Sequence, residues 1–182
     1  MAFNSQAQTY STIIKDREII TFIISIGKAL KINKLNSSIL ELISDQMCGA
    51  KAGEPISDDS LKKYFTKRDI DFICEQYHAL IQTRWWPKNF VHFKIIDSFG
   101  VKKIYETSVE RFYEISMNSK KRSKDNYFYS LSIPYFSLDR KMAVIRTAFS
   151  GGFLSETECT AIYKMSAKGE WVSISRYSCY LD

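Results

Sequence analysis

Glycine and proline are scarce in this chain, with 7 and 3 residues among 182. That scarcity excludes collagen-like repeats and Gly/Pro-rich low-complexity sequence, and it argues against extended disorder. Histidine occurs only 2 times, as His78 and His92, which thins out both acid–base chemistry and metal binding. No apolar run approaches the ~20 residues that carry a helix across a bilayer. The greasiest segment, 19–30, is interrupted by Thr21, Ser25, Gly27 and Lys28 and reads as a core helix. The G-x-S-x-G elbow of serine hydrolases is missing, since Ser150-Gly151-Gly152 lacks the glycine two places before the serine. Neither G-x-G-x-x-G nor G-x-x-x-x-G-K-[ST] occurs, so no phosphate-cradling loop is expected. Nothing in the chain calls for a cofactor.

What the chain does have is aromatic and apolar weight. Aromatic residues make up 14% and hydrophobic residues 45%, enough to build a sheet and a sizeable core in a chain of this length. The formal net charge of +6 permits acidic partners without requiring one.

Along the chain, Ile19, Ile20, Ile23, Ile24 and Leu30 repeat with the period of a helix buried on one broad stripe. Ser37 and Ser38 before "ILELI" predict a second short helix, and "CGAKAGEPISDD" a loop. Asp59 or Ser60 opens a short helical turn through Phe65. Thr66 then caps a helix over 67–83, with Asp69 three residues on, and Ile70, Ile73, Tyr77, Leu80 and Ile81 forming its stripe. "NFVHFKII" alternates as a strand with Val91, Phe93 and Ile95 on one face. "VKKIYETSVERFYEI" returns to helical period, and its Glu106, Glu110 and Glu114 read as a solvated stripe. In the last third, Tyr127, Tyr129, Leu131, Ile133 and Tyr135 alternate, followed by "MAVIRTAF", "CTAIYKM" and "WVSISRYSCYL". These predict three to five antiparallel strands closing the chain as a meander, with Pro134 at a strand end, edge or bulge. The expected fold is a single α+β domain over 1–182, N-terminal helices packed on a C-terminal antiparallel sheet.

Several side-chain groups invite a chemical reading. Cys74 and His78, four apart on a helix, leave the same face, and His92 would have to arrive from the next strand to complete a metal site. A core cysteine beside a surface histidine explains the same spacing, and no metal is expected. Cys159 and Cys179 can bridge only if the "SAKGE" turn closes with Ser166 opposite Glu170 and Gly169 left-handed; a two-residue Lys168-Gly169 loop points them to opposite faces. Of the two states, free thiols are favoured for the 4 cysteines. Trp85 and Trp86 are the candidate anchors of a binding surface, against the alternative that a tryptophan covers the junction of helix and sheet. Trp171, after the turn, is expected on the inner face of the sheet, where truncation to alanine costs ~3–5 kcal/mol. Lys120, Lys121, Arg122 and Lys124 could grip phosphates beside Tyr127, Phe128 and Tyr129. Strand packing already explains those aromatics, and nucleic acid is not an expected partner.

Three stretches carry a resemblance. "SIPYFSLDRKMAVI", followed by a GG turn, "AIYKMSAKGEWVSI" and a tyrosine-rich end, resembles the C-terminal meander of small uncharacterised exported proteins and lipoproteins of Bacteroidota. "FTKRDIDFICEQ" resembles their helix with an acid followed by a glutamine, here Asp69 and Gln76. "AQTYSTIIKDREI" resembles their mature N-termini. Such proteins often carry cysteines beside the glycine turn, where this chain has "SGGFLSETEC". The resemblance implies fold and compartment but no activity. Ser5 and Ala7 before Gln8 fit a small-x-small cleavage site, so 1–8 reads either as the remnant of a signal peptide or as an ordinary cytoplasmic start. The function expected is a non-enzymatic, extracytoplasmic binding or interaction domain, periplasmic or in the cell envelope, with another protein as a candidate partner. The alternatives are a cytoplasmic inhibitor or immunity-type partner protein, or an enzyme with a cleft between helices and sheet.

Overall fold

A computed structural model describes residues 9–40, 42, 48, 59–117, 127–150 and 156–181. The basic run at 120–124, the glycine pair at 151–152 and the start at 1–8 lie outside the described residues. The architecture is α+β, with a seven-stranded, mostly antiparallel sheet whose long strands lie toward the C-terminus.

Helix α1 spans Asp16–Ala29 and buries Ile19, Phe22, Ile23 and Ile26, a stripe spaced i, i+3, i+4, i+7. Its C-terminus is closed by a Schellman motif, in which Ile32 N–H donates to the Gly27 carbonyl at 2.9 Å and Lys31 N–H to the Lys28 carbonyl at 3.2 Å. Lys31 takes the left-handed position, φ 56°, that glycine usually fills. Gly27 is required for a different reason. A Cβ there would lie 2.5 Å from Cζ of Phe93, so the glycine lets that ring lie against the helix.

Strands β1 (Lys34–Asn36) and β2 (Lys94–Ile96) pair in parallel, and β1 also pairs in parallel with β3 (Phe128–Leu131). Then β4 (Tyr135–Phe136), β5 (Met142–Ser150), β6 (Glu156–Met165) and β7 (Trp171–Leu181) complete the sheet. The order is β2-β1-β3-β5-β6-β7, with β4 paired to β5 beyond the end of β3. Between β3 and β4 the chain breaks step at Ser132 to Pro134. Ser132 keeps contact with β5 there, donating to the Arg146 carbonyl at 3.0 Å and accepting at Oγ from Arg146 N–H at 2.9 Å. Pro134, which has no N–H, sits where no ladder bond is asked of it.

Because side chains alternate along a strand, β5 and β6 feed two cores. Ala143, Ile145, Ala161 and Tyr163 pack with α1 on one face. Val144 and Ile162 point the other way, toward Leu61, Phe65, Ile70 and Ile73. Leu61 belongs to α2 (Asp59–Lys62) and Ile70 and Ile73 to α3 (Lys67–His78). Helix α4, Ser98–Met117, starts where the Asp97 carboxylate accepts from Gly100 N–H at 2.8 Å. Its Tyr105 meets Phe128 edge-on at 5.9 Å. Among the described residues, no helix is long and apolar enough to cross a membrane.

Helix α3 holds the centre of the arrangement. Its N-terminus carries a capping box, with Asp69 N–H donating to Thr66 Oγ1 at 3.3 Å and Thr66 N–H to Asp69 Oδ2 at 3.0 Å. Two turns on, Gln76 is 1% exposed and faces the free edge of β4. Its Oε1 accepts from Phe136 N–H at 2.9 Å, and its Nε2 donates to the Phe136 carbonyl at 2.7 Å. One side-chain amide thus supplies both bonds that a neighbouring strand would have made.

Four sequence expectations are corrected. Ser37 to Leu40 are not helical: β1 ends at Asn36, and Ser38 and Leu40 make isolated bridges to Arg84 and Ser132. The strand expected from "NFVHFKII" shrinks to β2, because a 3-10 turn at Pro87–Asn89 consumes its start and leaves Val91 81% exposed. The helix expected over 67–83 ends at His78, since Leu80 leaves it to bridge Ser11, and Ile81 N–H goes to the Tyr10 carbonyl at 3.1 Å. The cysteines are bridged rather than free, Cys48 to Cys74 and Cys159 to Cys179.

Replacing Gln76 with leucine keeps the volume and strips both bonds from buried backbone groups, so Gln76→Leu should cost about 2–5 kcal/mol in urea melts. A loss below about 1 kcal/mol would show that water or another side chain replaces the amide.

Candidate functional site

The Ser137–Arg140 turn that follows β4 is built by two aspartates. Asp139 Oδ1 accepts from Ser137 Oγ at 2.7 Å and from Lys141 N–H at 3.0 Å. Asp69 reaches across from α3 with its second oxygen and accepts from Leu138 N–H at 2.9 Å. Burial pushes the Asp69 carboxyl up, but the bonds from Thr66 and Leu138 outweigh it and hold the group below the ordinary aspartate value. The Ser137 hydroxyl, then the Lys141 N–H, hold Asp139 below that value as well. Their product is a turn in which Arg140 sits left-handed, φ 62°.

That turn forms one wall of a cleft of about 220 Å³. The first turns of α1 form the opposite wall with Arg17, Glu18 and Thr21, and Trp171 and Met165 stand at the base of the β6–β7 hairpin. Aromatic rings make the floor. Phe22 meets Trp171 edge-on at 4.9 Å and Phe136 at 5.5 Å, while Trp171 and Phe136 lie 6.0 Å apart. Phe22 and Phe136 are buried, but Trp171 is only half-buried and shows part of its surface to the cleft. Trp171 does lie on the inner face, packed against the α1 core, but it is shared between that core and the cleft rather than fully buried. Arg140 lies over the Phe72 ring, its Cζ 4.5 Å from the centroid, and Nη1 approaches the Ser137 carbonyl at 3.4 Å. No ion pair engages Arg17 or Arg140 among the described residues.

The residues singled out in the sequence lie elsewhere. Trp85 is 1% exposed, packed between Tyr10 at 5.3 Å and Phe90 at 5.4 Å, and is a core residue rather than an exposed anchor. Trp86 is half-buried and stacks on Tyr10 at 4.1 Å. The Tyr10 hydroxyl fixes this corner by accepting from Trp86 N–H at 3.0 Å and Asn89 Nδ2 at 3.2 Å. Cys74 is committed to its bridge with Cys48, His78 contacts the Tyr77 ring, and His92 is exposed. Among the described residues no cluster of three metal-ligating side chains forms.

Cys159 and Cys179 come together through the turn that the longer-loop reading required. Ser166 N–H donates to the Glu170 carbonyl at 2.8 Å, and Gly169 has φ 79°. That register alone would leave the cysteines diagonal. Register shifts at Ile162/Tyr163 and Glu158/Thr160 move β7 along, and the two Cα atoms end 4.2 Å apart. Cys48–Cys74 had no sequence signal at all, because Cys48 lies in a stretch without periodicity, 26 residues from its partner. The cleft was equally hidden: Arg17 and Phe22 of α1, Phe136 and Arg140 around the turn after β4, and Met165 and Trp171 of the β6–β7 hairpin meet only once three distant segments have folded. No protein-family model, curated protein or solved structure matches this chain.

Two outcomes follow from the geometry. Both aspartates titrate lower in the folded state, so their contribution is complete above the ordinary carboxylate range and is lost as pH falls through their depressed values. Stability measured from pH 7 downward should therefore drop below about pH 4, and the double variant Asp69→Asn/Asp139→Asn should be less stable at pH 7 and show a shallower acid loss. An unchanged acid limb would remove both groups from the account. For Trp171→Ala the half-buried position lowers the expected cost to about 1–3 kcal/mol in denaturant melts.

Proposed function

We propose that this chain is a non-enzymatic binding domain working outside the cytoplasm, in the periplasm or cell envelope, and that it binds its ligand in the cleft between α1 and the turns after β4 and β6. The observation that carries the reading is the cleft's construction. A half-exposed tryptophan stands on a floor of buried rings, with two arginines outside any described ion pair at the rim. Aromatic surface with a few placed charges is what small-ligand sites use. Among the described residues, Glu18 is the one carboxylate lining the cleft and neither a histidine nor a cysteine lines it, so that lining favours recognition over acid–base or nucleophilic turnover.

The compartment is supported by the cysteines. All four of them, Cys48 with Cys74 and Cys159 with Cys179, are paired, and paired cysteines persist in oxidising compartments. The chain-entropy estimate for loops of this size is about 3 kcal/mol per bridge, enough to decide whether a domain of marginal stability stays folded. The likeness of its meander to small exported proteins of Bacteroidota agrees with this reading.

Thiol trapping on fractionated cells of the native host tests the compartment. We expect the protein in the envelope or periplasmic fraction with no alkylatable cysteine before reduction. Recovery from the cytosol with four reactive thiols would overturn the extracytoplasmic reading and favour an immunity-type partner. Binding itself is tested by a small-molecule screen read by chemical shifts of the Trp171 indole N–H. A screen in which no compound moves that signal would overturn the cleft as the site.

A further inference from the structure

We infer that the cleft takes a ligand the size of one amino-acid residue, bearing a carboxylate held by Arg17 and Arg140 and a large apolar side chain laid against Trp171. The inference rests on the reading of the cleft as a binding site and adds the chemistry of what enters it.

Size sets the first limit. A cavity of roughly 150 Å³ holds a benzene ring. The cleft's volume of about 220 Å³ therefore accommodates one ring or branched side chain plus a small polar head within its walls, with the rest of any longer ligand lying outside its open side. Trp171, Phe136 and Met165 supply the apolar side. Their rings and thioether offer face, edge and sulfur contacts that suit an aromatic or a long aliphatic group.

Charge sets the second. Two guanidinium groups and one carboxylate line the cleft, Arg17 and Arg140 against Glu18. Arginine's fork of donors matches a carboxylate in geometry as well as sign. Arg140 carries independent weight. Its φ of 62° is a conformation that glycine adopts freely and other residues adopt at a cost. A turn that keeps arginine there, with Ser137 and Asp139 bonded to hold it, puts a cation at the rim at the expense of backbone strain. Glu18 and the Thr21 hydroxyl then remain for an N–H on the ligand, which both a free amino acid and the last residue of a peptide provide.

Titration with N-acetylphenylalanine and with its carboxamide, followed at the Trp171 indole signal, tests the inference directly. The acid should bind at least about tenfold more tightly than the amide, the usual penalty for losing one charge-assisted bond. Arg17→Gln, an exposed position whose replacement leaves the core intact, should remove most of that preference, and Arg140→Gln should do the same. Free phenylalanine and a peptide ending in phenylalanine identify the source; tighter binding of either supports the inference, and a Glu18→Gln variant should weaken only the free amino acid. Equal affinity for acid and amide would overturn the carboxylate assignment while leaving the cleft as a binding site. No response to any of these probes, alongside a response to other compounds, would overturn the size and class of the ligand. No response to any compound at all would remove the site itself.

Discussion

The pairing of the Gln76 amide with both backbone groups of Phe136 is the contact on which the rest of the structure depends. Strand β4 is two residues long and, among the described residues, has a strand partner on one side alone. A buried strand edge with an unmet N–H and C=O is costly. Gln76 removes that cost from within a helix, and in doing so fixes α3 against the sheet at one defined height. The capping box then sets where α3 begins, Asp69 can reach Leu138, and the turn carrying Arg140 is held at the cleft. Phe136 is common to both ends of this chain of cause: its backbone bonds to Gln76, and its ring is part of the cleft floor.

The two cores on either side of the sheet have different fastenings. The α1 face is held by ring packing around Phe22, which meets Phe136, Tyr163 and Trp171 edge-on within 5.6 Å. The opposite face has fewer large rings, and there the Cys48–Cys74 bridge joins a buried cysteine to α3. Burial and a covalent link do similar work on the two faces. The cleft opens on the side whose cohesion comes from aromatic packing, so part of a core cluster is also the surface offered to a ligand.

How much of this was legible in the sequence depended on range. Ile19 to Ile26, the Thr66–Asp69 cap and the alternation of Tyr129 with Leu131 are local patterns, and each marked its element; the alternation expected to continue to Tyr135 fails after the break at Ser132 to Pro134, and Tyr135 packs in the opposite core. Strands β1 and β2 have three residues each, too few for a period to emerge, and Leu35 is buried because of partners far along the chain. Gln76 stood out only through the resemblance of its helix, with no role attached, because its partner lies 60 residues away. Trp85 and Trp86 drew notice as large aromatics, yet Tyr10, more than 70 residues distant, is what covers them. The cleft residues carried no shared motif: an arginine in a helix's first turn and an arginine in a polar turn are each commonplace. Only the left-handed backbone at Arg140 sets it apart, and backbone angles are not written in residue types.

The shape of the last strand has a consequence for how the molecule behaves in a crowd. An outermost strand of eleven residues with a single charged side chain, Arg176, and with Val172 and Ile174 exposed would ordinarily template another molecule's strand. In β7 the two register shifts and the left-handed Ser178 break the even spacing of outward N–H and C=O groups, and the Cys159–Cys179 bridge pins its end to β6. The opposite rim, β2, is three residues long. Among the described residues neither rim offers an incoming chain a regular ladder long enough to dock, and β2 begins with the exposed Lys94, so the sheet resists polymerisation at both edges. The same cystine that closes the hairpin thereby serves as a protection against aggregation.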